Sequence, residues 1–183
     1  MAIPWPQMEA NIINFFITKS SRSIEDSAQF FADEYKRATR LAQDPVGNYI
    51  IADKADSDII KQGFLEAFSM NMKSPVDLKA IPWVKVSEAL VKYWTLMPLF
   101  MAIPHPPATS PVPTLIPPPN LITFPGNVGS VTPGIWKAWK EPGESATAKA
   151  LVNVFKKHTN SLSGIYTGLS GVSPVVVPWK GLK

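Results

Sequence analysis

The chain has 183 residues, 45% of them hydrophobic and only 17% charged, against about 25% in ordinary soluble domains. Its length supports one domain with a buried core, and its apolar content excludes a wholly disordered chain. With no cysteine, disulfides, thiolate metal sites and cysteine nucleophiles are excluded together, and a net charge of +4 is too thin for the basic stripe of a nucleic-acid binder.

The first zone, residues 1–97, reads as a helical body. Pro4 and Pro6 interrupt the start and no basic run precedes an apolar one, so no secretory leader is expected. Met8 to Lys19 predicts a short apolar helix carrying Ile12, Ile13, Phe15 and Phe16. Ser23-Ile24-Glu25-Asp26 then reads as a capping box, with acids in the first turn. The helix behind it is expected to run to about Gln43, with Ile24, Ala28, Phe31, Tyr35, Ala38 and Ala42 on one buried stripe. A third helix is expected from Asp56 or Ser57 to Ser74-Pro75, with Ile60, Phe64, Ala67 and Phe68 on one face. Gly63 inside it costs about 1 kcal/mol against alanine, which points to close packing at that position. A fourth helix is expected to begin near Ser87 and to carry Leu90, Val91, Tyr93, Trp94 and Met97.

The second zone, residues 98–142, reads as a proline-rich extended arm. Ten prolines fall between Pro98 and Pro125, and only Lys137, Lys140 and Glu141 are charged in the whole zone. Proline lacks an N–H and fixes φ, so Pro104-His105-Pro106-Pro107 and Pro117-Pro118-Pro119 are expected to be polyproline II. Linkers of that shape are usually polar. Here the residues between prolines include Phe100, Ile103, Leu115, Ile116, Leu121 and Phe124, which predicts that the arm is buried against protein.

The third zone, residues 143–183, is read as a helix and tail packing on the body. Glu144 to about Ser163 predicts an amphipathic helix with Ala148, Leu151, Val152, Phe155, Thr159 and Leu162 on one side. A Gly/Ser-rich turn is expected through Gly164, Gly168, Ser170 and Gly171, followed by an edge strand or extended tail at Val175–Trp179. The fold class is therefore mainly α: a small helical bundle with a long proline-rich arm and an extended C-terminal tail.

The chemistry of sites is sparse. No Walker loop, dinucleotide fingerprint, zinc-protease motif or calcium loop occurs. Gly168-Leu169-Ser170-Gly171-Val172 approaches a nucleophile elbow but lacks its final glycine. His105 and His158 are the two candidate bases near neutral pH, one in a proline run and one on a helix at a core edge. Asp53, Asp56 and Asp58 read as a solvated helix start. No catalytic residue, cofactor, metal or small-molecule substrate is expected, and no run reaches the roughly 20 apolar residues of a membrane span. Of six tryptophans, Trp5, Trp83 and Trp179 each neighbour a proline, while Trp136 and Trp139 follow Pro133-Gly134. Tryptophan is enriched at interface hot spots, so Trp136 and Trp179 join Phe100, Ile103, Leu115, Ile116, Leu121 and Phe124 as candidate partner-binding residues.

Tyr93-Trp94-Thr95 before a proline-rich stretch, Pro117-Pro118-Pro119, Thr123-Phe124-Pro125-Gly126, a helix, and a closing Val177-Pro178-Trp179-Lys180-Gly181 follow one another. That order resembles small virion structural proteins of contractile-tailed, marine-type bacteriophages. The resemblance covers roughly the C-terminal half. It implies a multi-copy, non-enzymatic structural component of the neck, tail or baseplate, made in the host cytoplasm and partnered by other virion proteins. The alternative is a cellular adaptor presenting Pro-x-x-Pro segments to SH3 or WW domains. Such ligands usually carry a flanking Arg or Lys, and none lies between Pro98 and Trp136.

Overall fold

The computed structural model describes residues 3–18, 22–40, 42–43, 57–73, 81–95, 121–123, 128–170 and 173–183. Six helices and three strands lie in these segments: α1 (Trp5–Ile17), α2 (Ile24–Thr39), α3 (Ser57–Lys73), α4 (Ile81–Thr95), β1 (Leu121–Thr123), α5 (Val128–Ala138), α6 (Glu144–Ser161), β2 (Ser163–Ser170) and β3 (Ser173–Lys180). The protein is a small, mainly helical bundle, in agreement with the periodicity of its apolar residues. In it α3 packs between α2 and α4, α5 between α4 and α6, and α1 lies on α6 and α2.

Local signals account for α2. Ser23 Oγ accepts from the Asp26 N–H at 3.0 Å, and Asp26 Oδ2 accepts from the Ser23 N–H at 3.3 Å. The box satisfies two of the donors that every helix start leaves open. The expected stripe is buried at Ala28, Phe31, Tyr35, Ala38 and Ala42, but the helix ends at Thr39 rather than near Gln43.

Prolines mark three departures from the sequence reading. α1 begins at Trp5, not Met8, with proline in its first turn. α4 begins at Ile81, not Ser87, with Pro82 second. In both, the missing proline N–H falls where no intrahelical partner exists, and the fixed φ suits the helix. The third departure corrects the extended arm. Residues 128–138 form α5, with Pro133 inside it. Val131, Ile135 and Ala138, spaced four and three apart, are all buried on one face, so burial of that stripe offsets the hydrogen bond lost at Pro133. The low charge that suggested an arm here is that of a helix packed between two others. The stretches 104–107 and 117–119, expected to be polyproline II, lie outside the described residues.

Buried polar pairs join these helices within the core. Trp94 Nε1 donates to the Tyr35 hydroxyl at 2.7 Å, and the hydroxyls of Ser87 (α4) and Thr132 (α5) lie 2.7 Å apart, buried. α3 and α4 approach closely at Gly63. A Cβ there would stand 2.5 Å from Ala89 Cβ and 2.8 Å from the Lys85 carbonyl oxygen. Gly63→Ala is therefore expected to lower stability by about 1–3 kcal/mol through overpacking, although alanine is the better helix former by about 1 kcal/mol. Urea midpoints of the two proteins check this; a stabilised variant would contradict the close approach.

After α6 the chain makes a sheet of order β1-β2-β3, all antiparallel, with Leu121 opposite Ile165 and Gly164 opposite Trp179. The Gly/Ser-rich turn expected from Gly164 is thus a strand as far as Ser170. Gly164 permits it: the Trp179 indole lies across the strand where a Cβ would stand. Pro174 and Pro178 sit in β3, at the edge of the sheet, where a missing N–H costs no ladder bond. Leu182 is buried beyond β3, and Lys183 exchanges backbone hydrogen bonds with Gln43 at 2.9 and 2.8 Å.

Candidate functional site

The C-terminal half of α1 carries two adjacent rings, Phe15 and Phe16, and α2 carries another adjacent pair, Phe30 and Phe31. Successive helical residues point about 100° apart, so one core cannot take both members of either pair. Phe31 is buried, and the other three are partly exposed. Phe15 stacks on Phe30 with centroids 4.0 Å apart, and Phe31 stacks on Phe64 at 5.0 Å.

Trp139 closes this set from the other side of the chain. It lies just past α5, stacked on Trp83 at 5.4 Å. Its ring meets Phe16 at 5.7 Å, Phe31 at 5.9 Å and Phe68 at 6.1 Å, all edge to face. Such edge-to-face pairs are favourable beyond the area they bury.

These rings leave an open groove of about 400 Å³, lined by Phe15, Phe16, Ile24, Ser27, Phe31, Phe68 and Trp139. Ser27 lines it with a hydroxyl that already donates to the Ser23 carbonyl at 3.0 Å. Among the described residues no charged side chain lines it. A second depression of about 310 Å³ shares Phe16 and Trp139 and continues to Gly143, Glu144 and Thr147. The Trp139 indole N–H is buried with no acceptor. At the outer edge Arg22 lies 4.1 Å over the Phe15 ring and donates to the Phe15 carbonyl at 3.0 Å. Beside it, Glu34 on α2 is buried and accepts from Arg37 at 2.7 Å and Asn11 at 2.8 Å.

Two titratable groups of the core, Tyr35 and His158, are not among the residues that line this groove. Burial pushes the Tyr35 phenol up, opposed by its hydrogen bond from Trp94. Burial holds His158 down at about 4, and its Nε2 has no hydrogen-bond partner. Among the described residues no group of three His, Asp or Glu is placed to hold a metal ion, and no helix is long and apolar enough to cross a membrane.

The residues proposed from sequence as partner-binding are scattered. Phe100, Ile103, Leu115, Ile116 and Phe124 lie outside the described residues, as do His105, Asp53 and Asp56. Leu121 pairs with β2 through its backbone. Trp136 is partly buried on α5, with the Lys140 ammonium 3.9 Å from its ring centre. Trp179, the other tryptophan among those candidates, is 7% exposed and packs over Gly164 within the chain. The groove residues were legible in part: the Phe15-Phe16 and Phe30-Phe31 pairs are the signal, since each forces a ring off the core face. Trp139 gave no such signal, because its approach to Phe16 depends on how α5 packs.

No known protein family, curated protein or solved structure matches this chain.

Proposed function

We propose that the chain is a non-enzymatic structural protein of a phage particle, docking on neighbouring subunits through its proline-rich stretch. The observation that carries this reading is the open aromatic groove on the helical body, with no charged side chain among its described lining residues. Phe15, Phe16, Phe68 and Trp139 keep apolar area at the surface, which a protein ordinarily spares unless a partner covers it. The uncharged run of ten prolines from Pro98 to Pro125 supports it from the other side. Proline removes N–H donors and restricts the unfolded chain, so docking such a stretch costs less than docking a flexible one. The place in a virion, at neck, tail or baseplate, rests on the motif order from Tyr93 to Gly181.

Thermolysin, which cleaves before large apolar residues, tests the reading. Cleavage between residues 98 and 125 is expected in the dilute isolated chain and is expected to disappear when chains are assembled. Equal protection in both forms would mean that the stretch wraps only its own body.

A further inference from the structure

α1 is more apolar than its packing in the bundle requires. It lies on α6 and α2, and Met8 and Ile12 are its buried residues. An apolar stripe of about 100° serves such a helix. α1 instead carries a single charged side chain, Glu9, in 13 residues, and a second apolar stripe on its outer side. That stripe is Pro6, Ala10, Ile13 and Ile17, spaced four, three and four apart. Ile17 stands about 140° around the helix from Ile12. It is 61% exposed, one of two large hydrophobic residues so exposed among those described. Pro6 and Ala10 are exposed and Ile13 is half-buried.

A four-three-four repeat is the seam by which one helix packs along another, because it returns apolar side chains to one line. The order of sizes along the line also selects a partner. When α1 meets a second α1 running antiparallel, about a two-fold axis between residues 11 and 12, Ala10 stands opposite Ile13 and Pro6 opposite Ile17. Each layer then sets a larger side chain against a smaller one, as close packing requires. A parallel pair would face Ile17 with Ile17 and Ala10 with Ala10, crowding one layer and emptying another. The seam from Pro6 to Ile17 is about 16 Å long. Phe16, beside it, carries the apolar surface on into the aromatic groove. We infer that this outer face of α1 is a self-association surface on which two copies of the chain pair antiparallel, Ile17 of each against Pro6 of the other. The pairing is independent of docking by the proline-rich stretch, whose protection from thermolysin is read separately.

Sedimentation of the full-length chain over a concentration series tests the pairing. A reversible dimer is expected. Ile17→Glu, at a largely exposed position, should leave only monomer at concentrations where the unaltered chain is dimeric. Ile81→Glu, at the other exposed large hydrophobic residue and off the seam, should leave the dimer intact. Thiol cross-linking reads the register, since the chain has no cysteine of its own. A mixture of Pro6→Cys and Ile17→Cys chains should join through a short bis-maleimide as the mixed pair. Ile17→Cys chains alone should not join, because the two positions lie about 16 Å apart along an antiparallel pair. A chain that stays monomeric at every concentration would overturn self-pairing and leave the seam to a helix of another protein. Dissociation by Ile81→Glu as complete as by Ile17→Glu would overturn the choice of surface. Ile17→Cys chains that link to themselves in preference to the mixed pair would overturn the antiparallel register.

Discussion

Replacing Phe31 with alanine is expected to lower the unfolding free energy by about 3–5 kcal/mol, the range for removing a buried aromatic ring. Phe31 is 1% exposed and sits where three helices and Trp139 meet. Its ring stacks on Phe64 at 5.0 Å and touches Phe15, Phe16, Phe30, Phe68 and Trp139 at 5.4–6.3 Å. The surrounding rings are large and held by one another, so the cavity cannot collapse cheaply. Urea denaturation of both proteins measures the loss. A change below about 1 kcal/mol would show that the site repacks and that Phe31 is not central to the bundle.

Acidification from pH 7 to pH 4 is expected to cost the fold about 3 kcal/mol through His158 alone. Burial in α6 holds this imidazole down at about 4 against an ordinary value of 6.5. In the unfolded chain it takes up a proton near its ordinary value; in the folded chain it resists until near pH 4. Between those values the unfolded state binds more protons, so stability falls as pH drops through that window and is level above it. The residue is 7% exposed, so solvent screening is slight. His158→Leu should remove this part of the pH dependence, while the carboxylates contribute equally to both proteins. Urea midpoints at pH 7 and pH 4.5 decide it: parallel slopes in the two proteins would mean that His158 is reachable by water in the folded state.

The sequence by itself determined what depends on neighbours within a turn or two. The capping box at Ser23, the stripe Ala28-Phe31-Tyr35-Ala38 and the stripe Ala148-Leu151-Phe155-Thr159 follow from hydrogen-bond geometry and a 3.6-residue period, which act locally. The mainly helical class followed from them. The tertiary structure alone decided where proline breaks a helix and where it begins one. Pro6 and Pro82 stand in first turns, and Pro133 is tolerated within α5 because Val131 and Ile135 are buried around it. It also decided that Gly164 belongs to a strand, since only the Trp179 indole opposite explains a missing side chain there. The groove is the fullest case. Phe15, Phe31, Phe68 and Trp139 are separated by tens of residues, and no local preference aligns them. Only the packing of α1, α2, α3 and the end of α5 brings their rings to one face, because burial rewards contact between apolar surfaces regardless of their distance along the chain.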